Sequence, residues 1–448
     1  MAKKVDPKRE ELRRAMTEGV MEKKAKLPTS TLGRMGRSAL VALRTGRLIR
    51  KGRKKKPGAP ANVEQLLKLV TSLGQLKGIA MKMGQIMSYI DVALPDELRA
   101  ALSALQTSAP PMDFDELTKQ VRQSLGGKAE DVLAQMDPKP VAAASIGQVH
   151  KSRLPDGRIV AIKVQYPEME RAILADFKPA AVGTKLARLL VPGARVEGFI
   201  EEAKARFLEE CDYLHEARAQ QRFFDLYSEH PILSVPEVIH EYSGREVLCT
   251  AWIDGLGLDA FLATEPKQAM RDKMGVALFD FYLGSLFIHG LYNCDPHPGN
   301  YLFLPEGRLA LLDHGCTRSF PPSFVDELAK MGLAVHADDR EALLASFNRL
   351  GLLRRDREED FQIARRLVRA FQGPMLEDKE QIISEDAALE LGQLMRAKKQ
   401  LLKLDFPGEF LFLSRIRFGL MSVLARLGAR ANWHRLEKAY MEQAVESE

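Results

Sequence analysis

The sequence predicts an α+β protein with two lobes: a small β-containing N-lobe and a helical C-lobe, preceded by a helical extension. Three observations support this fold class. Two apolar segments on either side of a turn at 155–158 predict a β-hairpin over residues 142–164. A second strand–turn–strand pattern covers residues 301–312. From about residue 321 onward, the apolar residues recur almost entirely at helical spacing.

The length of 448 residues suits two lobes plus an extension. The predicted parts are a basic tail (1–60), a helical extension (61–137), an N-lobe with a helical insertion (138–255) and a helical C-lobe (256–448). Within the C-lobe, residues 274–293 are expected to form a buried central helix. Further helices are predicted over 323–333, 340–350, 358–371, 385–403 and 406–431.

The segment Asp295-Pro296-His297-Pro298-Gly299-Asn300, followed by Asp313-His314-Gly315, has the spacing of a phosphoryl-transfer site. In such a site an Asp orients the attacking hydroxyl or water, and an Asn and a second Asp bind Mg²⁺. Asp295, Asn300 and Asp313 fit these three roles. The hairpin at 301–312 would bring Asn300 and Asp313 to one site. These residue types are also ordinary turn formers, but the hairpin and Asp313 favour the functional interpretation.

Lys163, at the end of Ile159-Val160-Ala161-Ile162, is expected to supply a positive charge to the α and β phosphates. Glu216, in a helical segment predicted over 199–226, is the candidate carboxylate partner that holds the Lys163 side chain in position. The loop before the hairpin would cover the phosphates with Ala142, Ala143, Ala144, Ser145, Gly147 and Gln148. Alternatively, Lys163 is a solvated strand lysine; the hairpin and the downstream site favour the first interpretation.

The sequence departs from ordinary protein kinases in four places. Their Gly-x-Gly-x-x-Gly loop is replaced by an alanine-rich loop, which is stiffer and limits how closely its backbone can approach phosphates. Asn293-Cys294, not His-Arg, precedes Asp295, and His314 stands where Phe is usual. Lys163 and Glu216 are 53 residues apart, which requires inserted helices.

These departures, with Lys82-Met83-Gly84-Gln85 and Glu210-Cys211-Asp212, resemble the UbiB/AarF/ADCK family of atypical kinases over roughly residues 60–430. The resemblance implies a bilobal protein kinase-like fold that uses ATP and Mg²⁺. It implies that Lys82 and Gln85 cover the nucleotide pocket and that Glu210 and Asp212 hold them. It places the hinge at 250–255, with Ala251 and Ile253 contacting the nucleotide. The remaining family positions fall on Lys163, Glu216, Asp295, Asn300 and Asp313.

Without the resemblance, Lys82 would be one more surface lysine. Residues 63–91 have an apolar face at helical spacing, and their methionines are typical of a packed core. Glu210 and Asp212 alone would be a solvated helix face. The functional interpretation of these motifs therefore depends on the family.

The charge of the chain is uneven. Residues 1–56 hold 19 Lys or Arg and 5 Asp or Glu, a net charge of +14, which leaves −8 on the remainder. The basic run at 50–60 is typical of a segment that contacts an anionic membrane peripherally. Residues 1–60 contain no aromatic side chain, so base stacking is not available and nucleic acid is a disfavoured partner. A disordered solubilising arm is the alternative interpretation.

The sequence favours a cytoplasmic protein without a transmembrane segment. No apolar core follows the first lysines, and four glutamates within residues 10–22 disfavour a mitochondrial presequence. The four cysteines show neither metal-ligand spacing nor a disulfide framework. Cys294 and Cys316 flank the candidate site, where they are either oxidation-sensitive or small packing residues.

Two functional classes remain open. The first is an atypical kinase or ATPase with Asp295 and Lys163 as its catalytic residues. By resemblance, it would support ubiquinone biosynthesis or lipid homeostasis, with a lipid, a quinone precursor or a quinone-biosynthesis protein as partner. The second is a nucleotide-switched pseudokinase scaffold with negligible turnover. No Ala-Pro-Glu segment is present, which disfavours a peptide-docking platform.

Overall fold

The structure is a computed structural model that describes residues 112–144, 146–177, 208–353, 357–384 and 408–446. The basic tail, the predicted helices at 63–91 and 385–403, and the site candidates Lys82, Gln85 and Ser145 lie outside these residues. The chain divides into two compact units. The described part of the first unit ends at residue 213 and also includes 240–249; the second contains 214–239 and the described residues from 250 onward.

The secondary structure elements of the described residues are as follows. The helices are α1 Phe114–Leu125, α2 Ala129–Leu133, α3 Met169–Phe177, α4 Tyr213–Tyr227, α5 Leu258–Ala263, α6 Gln268–Phe279, α7 Ser285–His289, α8 Pro322–His336, α9 Arg340–Arg349, α10 Glu358–Gln372, α11 Gly408–Leu427 and α12 Trp433–Glu446, with a π-helix at Asp280–Gly284 between α6 and α7. The strands are β1 Ala142–Ala143, β2 Gly147–Arg153, β3 Ile159–Gln165, β4 Leu233–Ser234, β5 Val247–Ala251, β6 Leu291–Asn293, β7 Tyr301–Phe303, β8 Leu309–Leu311, β9 Thr317–Ser319, β10 Gln381–Ile382 and β11 Arg430–Ala431.

The sheet of the first unit has the order β1-β2-β3-β5. Strands β2 and β3 pair antiparallel from Gly147↔Gln165 to Arg153↔Ile159, which confirms the predicted hairpin. Its turn uses Gly157 at φ +91°, a conformation that glycine adopts without strain. Alternate residues of β3 are buried, and Lys163 lies on the opposite face from that core.

The helix predicted over 199–226 is interrupted at Cys211. Residues 208–210 are helical, and Cys211 N and Asp212 N then donate to the carbonyls three residues earlier, at 3.1 and 3.0 Å. Tyr213 N bonds to Arg245 O at 2.9 Å, so the backbone turns toward that loop before α4 begins. The continuous helix was therefore a wrong prediction, because helical spacing does not reveal a tertiary backbone contact.

In the second unit, β7 and β8 form the predicted hairpin, with Gly307 at φ +73° in its turn. Strand β4 adds parallel to β8, and β6 pairs antiparallel with β9. The central helix predicted over 274–293 ends earlier, at His289. Gly290 is left-handed at φ +60°, and a Cβ there would lie 2.9 Å from Phe320 O, so glycine caps the helix and lets β6 begin.

The predicted C-terminal helices are confirmed by α8, α9, α10 and α11. They pack around one apolar core of the second unit, whose largest fully buried side chain is Trp433. Its indole N–H donates to Gln381 O at 2.9 Å. Helix α11 contributes buried leucines to this core, including Leu420, Leu424 and Leu427.

Three of the four cysteines, Cys211, Cys249 and Cys294, are buried, and Cys316 is half-buried. All four are free thiols. Burial raises the pKa of the Cys249 thiol to about 12, which keeps it protonated near neutral pH.

No helix among the described residues is both long and apolar enough to cross a membrane.

A buried hydrogen-bond chain joins β2 to the segment that precedes α1. Met112 N donates to Gln148 Oε1 at 2.9 Å, Gln148 Nε2 lies 2.9 Å from His150 Nε2, and His150 Nδ1 lies 2.7 Å from Asp137 O. Asp137 O can only accept, so the neutral ring carries its proton on Nδ1 and accepts from Gln148 on Nε2. Burial lowers the pKa of His150, against the opposing effect of its bond to Asp137.

We expect Gly147→Ala to destabilise the protein by about 1–3 kcal/mol, because the new methyl would overlap Val164 O and lie 2.9 Å from the Tyr213 hydroxyl. Gly127→Ala is the matched control, since no heavy atom lies within 4 Å of a Cβ at that position. Urea unfolding of both variants measures the difference. Equal stability of the two variants would show that β2 does not depend on this close approach.

We expect the free energy of unfolding to fall as the pH drops below about 6.5, because unfolding frees His150 to bind a proton that its buried ring disfavours. This contribution is present above the unfolded pKa and is lost below it. Urea unfolding at pH 7.5 and 5.5, for the wild type and for His150→Gln, measures it. The variant should show the smaller loss; identical losses would mean that another group titrates.

Candidate functional site

The segment that carries the candidate residues Asp295 and Asn300 begins where β6 ends. Asn293, the last residue of β6, is 3% exposed. Its Nδ2 donates to Asp313 O at 2.8 Å, and its Oδ1 accepts from Asp295 N at 3.0 Å. One side-chain amide therefore connects the Asp295 segment to the Asp313 segment. The sequence analysis did not assign Asn293 a role; a polar residue that ends an apolar strand beside Asp295 was the available signal.

Asn300 closes the loop that starts at Asp295. Its Nδ2 donates to Asp295 Oδ2 and to Asp295 O, each at 3.0 Å. His297 N also donates to Asp295 O at 2.7 Å, so the loop is a tight turn. Because the amide nitrogen of Asn300 is engaged, its Oδ1 is the atom suited to bind a cation.

The predicted β7–β8 hairpin places Asn300 and Asp313 at the same end of its two strands. That both residues bind one metal ion stays a prediction. Tyr301 pairs with Leu311, and Leu312 N donates to Asn300 O at 3.0 Å. Asp313 therefore follows directly from a strand whose partner begins beside Asn300. Asp313 Oδ1 accepts from Gly315 N at 3.0 Å, which fixes the turn after the hairpin.

Glu216 lies beside this turn, within the same unit. A Cβ on Gly315 would stand 3.3 Å from Glu216 Oε2 and 3.4 Å from Asp313 Oδ1, so the two carboxylates flank the same glycine. Glu216 is 5% exposed. The pairing of Glu216 with Lys163, which belongs to the other unit, stays a prediction.

Aromatic packing holds the elements that carry these groups. His314 is fully buried and lies 4.9 Å, between ring centroids, from Phe223 of α4. The His314 imidazole thus packs against an apolar side chain of α4, the helix that carries Glu216. The hydroxyls of Tyr282, in the π-helix, and Tyr301, in β7, lie 2.8 Å apart. Burial raises the pKa of each of these phenols.

In the first unit, Lys163 lies against Tyr213. The Lys163 Nζ is 5.2 Å from the centroid of the Tyr213 ring, within the range of a cation–π contact. Tyr213 is 1% exposed, and its hydroxyl is the group that a Cβ on Gly147 would crowd. The sequence analysis missed Tyr213, whose only signal was an aromatic side chain directly after Glu210-Cys211-Asp212.

The alanine-rich loop forms a tight turn at the edge of the sheet. Ala142 and Ala143 are exposed and pair with Val149 and Gln148, and Ala144 N donates to Gly147 O at 2.9 Å. The Gln148 side chain is engaged in the buried chain to His150, so a nucleotide contact from Gln148 would have to come from its backbone. The missing side chain of Gly147 allows β2 to approach β3 closely.

The other candidates lie at the break before α4 and at the end of β5. Glu210 and Asp212 are half-buried and flank Cys211, whose carbonyl accepts from Gln165 Nε2 at 3.1 Å. Ala251 N donates to Glu237 O at 2.8 Å, so a contact from Ala251 to a base would use its carbonyl. Ile253 is half-buried.

The structure therefore brings together Asp295, Asn300, Asp313 and Glu216 in the second unit. It groups Lys163, Gly147, Glu210 and Asp212 in the first unit. That the two groups meet around one nucleotide stays a prediction.

The donors Asn300 Oδ1 and the Asp313 carboxylate are hard oxygens of the kind that Mg²⁺ binds, usually with water and phosphate oxygens completing its shell. No cluster of three or more His, Cys, Asp or Glu ligands occurs in the described ranges.

Comparisons with known proteins identify relatives of this chain. The chain is 31% identical over 292 residues to the mitochondrial atypical kinase coq-8 of Caenorhabditis elegans, which covers 64% of this chain and 38% of that protein. It is 30% identical over 280 residues to AarF domain-containing protein kinase 1 of Xenopus laevis, covering 61% of this chain and 54% of that one. The matched region thus spans about half or less of these relatives.

Among solved structures, the complex of Rv3197 with erythromycin from Mycobacterium tuberculosis matches with a TM-score of 0.60 and 28% identity. The match covers 90% of this chain and 98% of that one. The ABC1 atypical kinase-like domain matches residues 104–347, more than half of the chain. This span contains Lys163, Asp295 and Asp313, and the chain belongs to the ABC1 atypical kinase-like family, as its motifs indicate.

Proposed function

We propose that this chain is a Mg²⁺-dependent, ATP-binding atypical kinase or ATPase. The observation that carries the proposal is the hydrogen bond from Asn300 Nδ2 to Asp295 Oδ2, on a loop that the hairpin joins to Asp313. A kinase-like family implies nucleotide binding, and these three side chains have the types and the connections that phosphoryl transfer requires.

In this proposal Asp295 accepts a hydrogen bond from the attacking hydroxyl or water and orients it toward the terminal phosphate. The bond from Asn300 holds the Asp295 carboxylate in one orientation, so less order has to be gained when the nucleophile binds. Lys163 contributes a positive charge to the α and β phosphates. Mg²⁺, held by Asn300 and Asp313, would offset the negative charge of the phosphates.

The alternative is a pseudokinase scaffold, in which ATP binds and signals occupancy without turnover. Two features keep it open: the alanine-rich loop and the extension that carries Lys82, which the family resemblance places over the pocket. The intact set of Asp295, Asn300, Asp313 and Lys163 supports the enzyme. Family resemblance also supports a role in ubiquinone biosynthesis or lipid homeostasis, with an acceptor that is a protein, a small molecule or water.

We expect Mg²⁺ plus ATP to raise the melting temperature, because a ligand at about 100 times its Kd adds about 2.7 kcal/mol to the free energy of unfolding. Asp313→Asn should lose most of this shift, since an amide holds Mg²⁺ less well than a carboxylate. Thermal melts with ATP alone and with Mg²⁺ alone distinguish the contributions of the two ligands to the melting temperature. A wild type that does not respond to millimolar Mg²⁺–ATP would contradict the nucleotide site.

We expect Asp295→Asn to reduce ATP turnover by about 10²- to 10⁴-fold, because the amide cannot take the proton of the nucleophile. The Mg²⁺–ATP melting shift should persist, because the metal ligands remain. Asp259→Asn is the control, an aspartate of α5 whose side chain is 87% exposed. If turnover by Asp295→Asn equals that of the wild type, Asp295 is not the catalytic group. If the wild type binds but does not turn over ATP, the scaffold is favoured.

A further inference from the structure

Helix α11 contacts the catalytic loop at a glycine. A Cβ on Gly419 would overlap Pro296 Cγ and would lie 3.2 Å from Pro296 Cβ and 3.3 Å from Pro296 O. Pro296 is buried and directly follows Asp295. Only a residue without a side chain allows the helix backbone to approach the loop this closely.

A displacement of Pro296 would be transmitted to Asp295. The proline ring fixes one backbone angle at 296 and restricts the conformation of the residue before it. The bond from His297 N to Asp295 O, 2.7 Å, closes the turn around the proline, and Asn300 Nδ2 binds Asp295 on the other side. Both bonds hold the Asp295 backbone against the turn that contains Pro296, so a shift of Pro296 would move Asp295.

A buried charge fixes α11 itself. Arg417, two residues before Gly419, is 4% exposed and forms an ion pair with Glu437 of α12, which is fully buried. The Arg417 guanidinium also lies 5.0 Å from the ring centroid of Phe371 in α10. Burial opposes ionisation of Glu437, but Arg417 and His336 outweigh it and lower its pKa. Sliding α11 would separate the buried Arg417 guanidinium from the Glu437 carboxylate, and the cost of that separation opposes the movement.

The same ion pair borders the strand that leads to Asp295. Arg417, Glu437 and Tyr292 of β6 line a cavity of about 30 Å³. Arg417 Nε and Glu437 Oε2 have no hydrogen-bond partner among the described residues, and most of the side chains that line this cavity are apolar. Helix α11 thus flanks the catalytic segment both before and after Asp295.

We propose that Gly419 is a positioning residue: α11, locked by the Arg417–Glu437 pair, supports Pro296 and so sets the location of the Asp295 carboxylate. This inference rests on the proposed function, in which Asp295 orients the nucleophile. Of the groups proposed to bind Mg²⁺–ATP, Asn300 lies on this loop, whereas Asp313 and Lys163 lie outside it. Crowding at Gly419 should therefore affect turnover more than nucleotide binding.

The test is Gly419→Ala, with Gly275→Ala as the matched control. A Cβ on Gly275 of α6 would overlap Ala429 Cβ in the same unit, so this variant also strains helix packing but has no contact with the loop. We expect Gly419→Ala to lower kcat by about 10- to 100-fold, as a displaced catalytic group does, with a smaller change in the KM for ATP and most of the Mg²⁺–ATP melting shift retained. Gly275→Ala should keep the wild-type kcat. Equal kcat values for Gly419→Ala and Gly275→Ala would overturn the proposal.

A second variant covers the case in which Gly419→Ala folds poorly. Pro296→Ala removes the ring atom that the new methyl would overlap, so the double variant should recover both stability and part of the lost turnover. A double variant that is neither more stable nor more active than Gly419→Ala would overturn the contact.

Hydrogen exchange of the backbone amides within residues 293–300 tests whether α11 supports this loop. The measurement does not require ATP. Exchange should be faster in Gly419→Ala than in Gly275→Ala. A wild type without ATP turnover would contradict the proposed enzyme but would leave this measurement valid. Unchanged exchange in Gly419→Ala would overturn the positioning role itself.

Discussion

The candidate site depends on the buried amide of Asn293. Its oxygen fixes the backbone of Asp295, and its nitrogen fixes the carbonyl of Asp313. These residues are far apart in the chain, and the β6–β9 pairing brings their segments together. An amide suits this position because it offers a donor and an acceptor at once, whereas a carboxylate would have no donor for the Asp313 carbonyl. Because Asn293 is buried, losing either bond would leave an unsatisfied polar group out of contact with water.

The elements that the sequence predicted are those in which a local signal and a tertiary requirement coincide. The turns at Gly157 and Gly307 need a positive φ, and glycine between two apolar segments indicates this directly. The hairpins, and with them the placement of Asn300 beside Asp313, followed from that signal. The C-terminal helices followed from periodicity in the same way. Lys82, Gln85 and Ser145 lie outside the described residues.

The features that the sequence did not predict depend on contacts between distant segments. The break at Cys211 results from the bond between Tyr213 N and Arg245 O. The cation–π contact of Lys163 requires the folded position of Tyr213. A helix was predicted over 406–431, but the burial of Arg417 in the core was not, because it depends on Glu437, which compensates its charge. No spacing rule links residues 417 and 437.

In ordinary kinases one glycine-rich loop combines two tasks, close backbone packing and close approach to the phosphates. In this chain the alanine-rich loop and Gly147 divide these tasks. Gly147 is used for packing, since its missing side chain admits the Val164 carbonyl and the Tyr213 hydroxyl. The alanines that remain have less conformational freedom than glycines, so the loop cannot close as tightly over phosphates. In an enzyme built this way, more of the phosphate charge has to be offset by the metal and by Lys163. In the proposed enzyme, Mg²⁺ at Asn300 and Asp313 would therefore matter more than in an ordinary kinase, because an alanine-rich loop brings its backbone less close to the phosphates.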